Sequence, residues 1–506
     1  MSQNNIKITL ITLVLSVVMG CHSSRIHMYD IDGHRKTVSE AYLYSGSVGE
    51  KVNSRYRATN HRQSTVSTFS IDVDTASYTY IQQCIDDGKV PSSHRIRIEE
   101  MINYFDYNYK SPDDEVPVSV EMNLTDCPWD DNKNLVHIGL RARDIKEERK
   151  PANLVFLIDV SGSMSSREKL PLLKEGMLAM VDELNRHDRV AIVTYAGGAE
   201  LELKSTVCSY SGKKRIMEAI EDLSSGGSTN GEAGIHLAYE IADQNFQEEA
   251  INRVILASDG DFNVGATSDN KMVRLVRQKA QEGVNLTVLG FGNGGFNDSM
   301  MEKISNNGNG NYFYISNRKN AEEILCKKLT STLQNAAEDV KLQVEFNPQN
   351  IEYYRLVGYS NRIMKNSDFD KDRKDAGDMG LGHTVTALYE VKLRNPVRKL
   401  KYESTPTASR DVSKELLTLS IRYKQPGEER SELLRQTLDG GELTNDKDAH
   451  FATIVAAFGL ILQGRGDINE TENLIETVES YELDDDKKKR DFLEMMCQYV
   501  DILEER

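Results

Sequence analysis

Continuous apolar runs alternate with amphipathic stretches through the middle of the chain. Apolar runs end at residues 158, 196, 258 and 292, and such runs are typical of strands buried on both faces of a parallel sheet. Between and after them, apolar residues recur at helical spacing, first over residues 167–185 and last over 321–333. This alternation predicts an α/β domain with a doubly wound, mostly parallel sheet over residues 151–335.

The segments on either side of this domain carry different patterns. Residues 66–150 combine two short helical segments with two stretches of alternating apolar and polar residues, which predicts a small α+β module. Alternating stretches dominate residues 336–425 and predict a β-rich domain. Helical spacing predicts a helical region over residues 426–506, where the most apolar segment is too short to span a membrane and is expected to be buried.

The beginning of the chain has the pattern of an export signal followed by a spacer. A basic residue precedes an apolar run over residues 8–19, and the letters VMGC end at Cys21. This segment resembles the lipobox of bacterial lipoproteins, which implies a signal peptide over residues 1–20 and acylation of the Cys21 thiol. Residues 21–65 are polar and would form a lipid-anchored tether. An ordinary secretory signal with an incidental cysteine is the alternative.

Composition narrows the partners and the compartment. The net charge is −17, with 62 Lys and Arg against 79 Asp and Glu, which argues against nucleic acid and anionic membrane surfaces as partners. Membrane attachment would therefore depend on the lipid, and we expect a bacterial cell-envelope location, periplasmic or surface-facing. The other five cysteines are scattered without a C-x-x-C pair, so we expect free thiols, with one isolated disulfide as the alternative.

Candidate chemistry follows the first buried strand of the α/β domain. Asp159, Ser161 and Ser163 form a D-x-S-x-S turn directly after the apolar run, at the strand end where ligands bind in open α/β sheets. Thr229 lies in the glycine-rich stretch SSGGSTNG, and Asp259 follows a later apolar run. Taken singly, each residue is explained as well by a turn or a helix cap.

The order and spacing of these five residues resemble the metal-ion-dependent adhesion site of von Willebrand factor A domains, whose fold is Rossmann-like. The resemblance implies that Asp159, Ser161, Ser163, Thr229 and Asp259 hold Mg²⁺, or another divalent cation such as Mn²⁺ or Ca²⁺. The ion would then capture an Asp or Glu side chain of a protein partner. Mg²⁺ prefers oxygen ligands in octahedral geometry, as these residue types supply. Ser258 stands where many members of this family have Thr.

Both flanking regions resemble those of one bacterial family of von Willebrand factor A lipoproteins. The stretches VDTASY and RIEEMINYFDY resemble its N-terminal module, and YRLVGY and GHTVTALYE resemble its C-terminal extension. Asp72 and Asp74 also match the opening of haloacid-dehalogenase phosphatases, but Ala76 stands where that motif has Thr or Val. Polarity at a strand end and capping of the next helix by Asp74 or Thr75 are the favoured interpretation.

The sequence predicts a binding protein rather than an enzyme. It carries no G-x-S-x-G turn, Walker loop or dinucleotide fingerprint. His187 and His236 lie near the candidate ligands in sequence, but we expect surface or packing roles for both. The predicted function is therefore metal-dependent capture of a protein partner by a cell-envelope lipoprotein. The alternatives are a structural scaffold with a stabilising metal site and a metal-dependent hydrolase.

We expect Cys21→Ser to abolish incorporation of a fatty-acid label, because the thiol is the predicted site of acylation. Metabolic labelling with an alkyne fatty acid, followed by in-gel detection, measures this directly. Cys84→Ser is the control and should label like the wild type. Equal labelling of the Cys21→Ser variant, or no labelling of the wild type, would contradict the prediction.

Overall fold

The computed structural model describes residues 28–29, 35–36, 57–58, 65–113, 116–144, 149–260, 269–292, 298–328, 333–394, 414–481 and 486–505. In chain order the strands are β1 (Met28–Tyr29), β2 (Arg35–Lys36), β3 (Arg57–Ala58), β4 (Val66–Ser70), β5 (Val118–Asp126), β6 (Asn134–Ala142), β7 (Ala152–Asp159), β8 (Arg189–Tyr195), β9 (Ala199–Val207), β10 (Ile251–Ser258), β11 (Val284–Phe291), β12 (Tyr312–Ile315), β13 (Asn335–Phe346), β14 (Ile351–Val357), β15 (Gly377–Gly380), β16 (Thr384–Leu393), β17 (Glu415–Lys424) and β18 (Ser431–Asp439).

The α-helices are α1 (Ala76–Asp86), α2 (Ile98–Ile102), α3 (Leu170–Glu183), α4 (Tyr210–Asp222), α5 (Gly231–Gln244), α6 (Asp269–Gln281), α7 (Asp298–Asn307), α8 (Arg318–Glu322), α9 (Lys447–Leu462), α10 (Glu470–Glu479) and α11 (Lys487–Glu504). A π-helical turn, Glu323–Lys328, continues α8. Short 3₁₀ turns are Ser93–Arg95, Gly162–Ser165 and Asn366–Asp368.

The predicted doubly wound sheet is confirmed. Its strand order is β12-β11-β10-β7-β8-β9, and every pair is parallel except β8 with the edge strand β9. All eight residues of β7 are buried, as expected for a central parallel strand with helices on both faces. The first strand of the domain, β7, lies beside the fourth, β10, so the order of the sheet reverses between them.

The last described helical segment of this domain begins earlier than the sequence predicts. We predicted a helix over residues 321–333, whereas α8 begins at Arg318 and continues as the π-helical turn Glu323–Lys328. Residues 329–332, which contain most of the remaining predicted helix, lie outside the described residues. Leu325 and Ala321 pack so closely on Gly176 of α3 that a Cβ on that glycine would lie 2.6 Å from Leu325 Cδ1.

Strands from both flanks of the α/β domain form one pair of five-stranded sheets. One sheet has the order β15-β13-β17-β18 with β4 paired to β13, and the other has the order β3-β14-β16-β6-β5. The two sheets share one hydrophobic core, in which Phe69, Val136, Leu342 and Tyr389 are all buried. The predicted division into a module over residues 66–150 and a β-rich domain over 336–425 is therefore wrong, because strands from both segments pair in the same two sheets. Alternation predicts which face of a strand is buried, but it does not predict the partner strand.

The C-terminal region is helical only after β18. We predicted a helical region over residues 426–506, whereas Ser431–Asp439 is a strand that pairs antiparallel with β17. Nearly every face of α9 is buried, as its apolar sequence predicts, and it packs on α2. Phe492 of α11 lies at the centre of an aromatic cluster, with ring centroids 5.6 Å from Phe105, 5.6 Å from Phe451 and 5.8 Å from Phe458. In the part of the chain that is described, none of the helices is both long and apolar enough to cross a bilayer.

Residues 1–50 form a unit of their own, of which only the antiparallel pair β1 and β2 is described. The predicted signal peptide, Cys21 and most of the predicted tether lie outside the described residues. The other five cysteines are free thiols, and Cys127 and Cys208 among them are buried. The prediction of scattered free thiols is thus confirmed for these five residues.

We expect Phe492→Ala to lower the free energy of unfolding by about 3–5 kcal/mol, because it removes a fully buried aromatic ring from a close-packed cluster. Urea denaturation followed by circular dichroism gives the difference. Tyr210→Ala is the control, since that side chain is 96% exposed and its truncation should change the value by about 0.5 kcal/mol or less. Similar values for the two variants would contradict this packing.

Candidate metal centre

Asp159 ends β7 and is completely buried. Its Oδ1 accepts a hydrogen bond from the Ser161 N–H at 2.9 Å, and its Oδ2 accepts from the Tyr195 hydroxyl at 3.2 Å and the Ser258 hydroxyl at 3.3 Å. A carboxylate offers about four acceptor positions, so these three donors orient the group and leave capacity for one further ligand. Asp159 is therefore held in place from the ends of three neighbouring strands.

Two hydroxyls of the next turn lie side by side. Ser161 is buried and Ser163 is exposed, and their Oγ atoms are 3.0 Å apart. That separation is an ordinary hydrogen bond, and it also equals the distance of about 3 Å between neighbouring ligands of an octahedral Mg²⁺ ion. The turn thus presents two oxygen atoms at a spacing that suits a hard cation.

The glycine-rich loop is fastened to the same turn by backbone hydrogen bonds. The Gly162 N–H donates to the Gly227 carbonyl at 3.1 Å, and the Gly226 N–H donates to the Val160 carbonyl at 2.7 Å. Thr229 is half-buried in this loop, two residues before α5 begins at Gly231. The Thr229 hydroxyl makes no hydrogen bond to the described residues. The structure therefore brings the loop to the Asp159 turn without fixing a contact for this side chain.

Asp259 directly follows β10 and is 4% exposed. Because β10 pairs in parallel with β7, with Ala257 opposite Ile158, the two aspartates leave the sheet at the same edge. Asp259 Oδ2 accepts a hydrogen bond from Lys169 Nζ at 2.8 Å, and the same ammonium donates to the Ser163 carbonyl at 3.0 Å. This lysine links the two strand ends, and we did not predict it from the sequence.

Burial and a neighbouring charge both act on the pKa of Asp159 in the direction opposite to its hydrogen bonds. Burial raises the pKa of the Asp159 carboxyl, the hydrogen bonds from Ser161 lower it, and the nearby charge of Asp259 raises it again, so that the pKa lies above its ordinary value. A divalent cation would offset both the burial of the Asp159 carboxylate and its repulsion by Asp259, since the cation would pair with each carboxylate. Two carboxylates and two neighbouring hydroxyls are also the hard oxygen donors that Mg²⁺ takes. The residues present fit such an ion.

Sequence reasoning missed three residues that shape this centre: Tyr195, Ser258 and Lys169. Ser258 was treated as a neutral departure from the family pattern, but its hydroxyl bonds Asp159 and accepts from the Gly260 N–H at 3.1 Å. Tyr195 could have been found from the strand pairing, because it lies opposite Asp159 in the β7–β8 register. Such a pairing is not visible before the sheet order is known.

The two histidines noted in the sequence are both exposed. His187 precedes β8, whose seven residues at about 3.3 Å each place it roughly 23 Å from the strand end that carries Tyr195. His236 lies on α5, which begins shortly after Thr229. Their exposure agrees with the expectation of surface or packing roles.

Three comparisons place this chain among known proteins. The von Willebrand factor type A domain family matches residues 153–327, a family described as von Willebrand factor matches 51–137, and one described as uncharacterized protein YfbK, C-terminal, matches 331–502. Uncharacterized protein YfbK of Escherichia coli (strain K12) is 39% identical over 421 residues, which cover 81% of this chain and 73% of that protein. The chain belongs to the YfbK family. The predicted membership of a bacterial von Willebrand factor A family is thus confirmed.

More distant similarities are confined to part of the YfbK-family chain or to its fold. Human inter-alpha-trypsin inhibitor heavy chain H4 is 30% identical over 148 residues, which cover 28% of this chain and 16% of that protein. A solved structure described as von Willebrand factor type A from Catenulispora acidiphila covers 68% of this chain and 77% of its own, with 19% identity and a TM-score of 0.42. Neither similarity carries a functional argument for this chain.

This YfbK-family chain has a second acidic cluster, which we call the junction cluster: Asp72, Asp74, Glu99, Glu100 and Glu302, with Arg97 and Arg362. Carboxylate oxygens of Asp72, Asp74 and Glu100 lie within 4.8 Å of one another. Arg362 donates to both oxygens of Asp72, at 2.8 and 2.9 Å, and to Asp74 at 3.2 Å. The cluster is separate from the candidate metal centre, and the arginines already supply its positive charge.

The junction cluster joins the α/β domain to the paired sheets. Arg362, which follows β14, also donates to Asn306 of α7 at 2.7 Å. Asp74 Oδ1 accepts from the backbone N–H of Tyr312 in β12 at 2.8 Å. The predicted helix start is confirmed in its position, since Thr75 is the N-cap of α1, but Thr75 makes no side-chain cap hydrogen bond. Asp74 serves the neighbouring domain instead, because burial there demands a partner for the Tyr312 N–H.

Burial makes the stability of this cluster depend on pH. It raises the pKa of Asp74 to about 8 and that of Glu99 to about 7, with the charge of Asp72 as the next cause. A folded-state pKa above the unfolded value stabilises the protein at low pH, and this stabilisation is lost as the pH rises through the folded value. The buried His137 and His383 have pKa values of about 4, so their effect is confined to the region below about pH 6.5.

We therefore expect the free energy of unfolding to fall by roughly 2–4 kcal/mol between about pH 6.5 and pH 8. Glu99→Gln should reduce this slope, because an amide does not titrate. The fold should tolerate the amide, since Glu99 is 2% exposed and its Oε1 has no hydrogen-bond partner among the described residues that the substitution would break. Urea titrations at a series of pH values measure the slope. Glu221→Gln, an exposed glutamate of α4, should leave it unchanged. A wild-type slope of zero would refute the assignment.

Proposed function

We propose that this YfbK-family chain is a cell-envelope lipoprotein that binds a protein partner through a divalent metal ion. Asp159, Ser161, Ser163, Thr229 and Asp259 would hold Mg²⁺, which would supply an open position for an Asp or Glu side chain of the partner. The observation that carries the proposal is the meeting of the Asp159 turn, the loop of Thr229 and Asp259 at one edge of the sheet, where β7 and β10 are neighbours.

Charge and burial favour binding over catalysis at this centre. Two carboxylates formally neutralise a divalent ion, and neutral hydroxyls add little electron density, so the ion would stay attractive to an incoming carboxylate. General-base catalysis needs a proton acceptor within hydrogen-bond reach of the reacting group, and in the described part of the chain neither His187 nor His236 makes a hydrogen bond to a predicted ligand residue. Anchoring through Cys21 would hold the domain at the membrane, and the polar stretch to residue 65 would let it reach a partner.

We expect Asp159→Ala to weaken Mg²⁺ binding about 100-fold or more, since it removes a ligand that three hydrogen bonds orient. Isothermal titration of the full chain with MgCl₂ measures the affinity. Asp222→Ala is the matched control, because it removes an exposed carboxylate at the end of α4. Wild-type affinity in the Asp159→Ala variant would place the metal elsewhere.

The same variants test the partner. Cross-linking in solubilised envelope, followed by quantitative mass spectrometry, should recover a partner with the wild type and Asp222→Ala in Mg²⁺. The partner should not be recovered in the presence of EDTA or with the Asp159→Ala variant. Identical partners under all conditions, together with thermal stabilisation by Mg²⁺, would favour the scaffold. Mg²⁺-dependent turnover of generic phosphate or ester substrates would favour the hydrolase.

A further inference from the structure

Lys169 holds a position inside the candidate metal centre. It is the residue before α3, and its side chain extends back over the strand ends with 17% of its surface exposed. The ammonium donates to Asp259 Oδ2 at 2.8 Å and to the Ser163 carbonyl at 3.0 Å. Both acceptors belong to residues of the predicted ligand set. A single cation of the chain thus already pairs with one of the two carboxylates.

The surrounding backbone makes room for this side chain. Gly292, just after β11, has a φ of +78°, and a Cβ there would lie 2.4 Å from Lys169 Cε and 3.3 Å from Nζ. Glycine takes that conformation without strain and leaves the space that the lysine stem occupies. The Gly292 carbonyl accepts a hydrogen bond from the Tyr314 hydroxyl at 3.0 Å. The lysine stem therefore packs against Gly292 at the carboxyl end of β11.

Two cations cannot share Asp259 without cost. Like charges a few ångströms apart repel strongly where water is partly excluded, and Asp259 is 4% exposed. We propose that Lys169 is a built-in competitor of the metal: Mg²⁺ binds by displacing the ammonium from Asp259, so Lys169 sets the affinity of the centre. This inference rests on the proposed metal site and concerns its regulation. The ion that binds must attract Asp259 more strongly than the Lys169 ammonium does, and this requirement favours divalent over monovalent cations.

The affinity of the full chain for Mg²⁺ tests the competition. Lys169→Met keeps the length of the stem and removes the charge, and we expect it to bind Mg²⁺ about tenfold more tightly or better than the wild type. Lys214→Met is the matched control, because this lysine of α4 is 76% exposed and its ion pair with Glu218 is 3.7 Å long. Isothermal titration with MgCl₂ gives all three affinities, and thermal unfolding confirms that each variant is folded.

A second measurement uses the wild type alone. Displacement by Mg²⁺ releases the ammonium to solvent, so acetylation of Lys169 by an N-hydroxysuccinimide ester should rise several-fold when MgCl₂ is added. Acetylation of Lys214 should not change, and mass spectrometry reports both sites in one digest. This acetylation experiment tests the displacement of Lys169 even if the Lys169→Met variant fails to fold.

The outcomes separate this inference from the proposed function. If the wild type binds Mg²⁺ and Lys169→Met binds it equally or more weakly, the proposed competition is overturned while the proposed function stands. Lys169 would then be a positioning residue for Asp259. Unchanged acetylation of Lys169 at saturating Mg²⁺ would overturn it as well. Absence of Mg²⁺ binding in every variant would overturn the proposed function and this inference together.

Discussion

The parallel pairing of β7 with β10 is the constraint on which the rest of the candidate centre depends. Asp159 and Asp259 are far apart in the chain, and they meet only because these two strands are neighbours with a register that ends both at the same edge. The reversal of strand order between them leaves a crevice that loops on both sides can reach. The hydroxyl turn, the glycine-rich loop and Lys169 all take their positions from that edge. A slip of the register would move Asp259 away from Asp159 and its turn.

Much of this centre could be predicted because its main parts are local. The buried strand and its D-x-S-x-S turn are contiguous in sequence, and the apolar run before Asp259 marks a second strand end. Lys169 and Tyr195 could not be predicted in the same way, because each acts across a pairing or a packing contact. The short strand β12 and the charged edge strand β9 were missed for a related reason: neither carries the continuous apolar run that marks a buried parallel strand.

The paired sheets show where sequence patterns mislead about domains. Alternating segments on both sides of the α/β domain were assigned to two units, yet β4 pairs with β13 and β6 pairs with β16. The α/β domain is thus inserted into a body made from both flanks. Arg362 and Asp74 of the junction cluster join the two bodies through charged and polar bonds. The two bonds that cross between the bodies join a charged side chain to a neutral group, Asp74 to the Tyr312 N–H and Arg362 to Asn306, and such charge-assisted hydrogen bonds favour one mutual orientation.

This interleaving also has a consequence for the order in which the protein acquires its structure. A chain that emerges from its N-terminus presents β4, β5 and β6 long before β13 and β16 exist to pair with them. By contrast, the strands of the α/β domain, from β7 to β12, follow one another in sequence, and all of them have been made before β13 emerges. The α/β strands can therefore pair early, whereas β4, β5 and β6 keep exposed edges until β13 and β16 are made. One face of the α/β sheet is covered last, because Phe451 and Phe492 of the C-terminal helices belong to the same hydrophobic core as Val155 and Leu157 of β7.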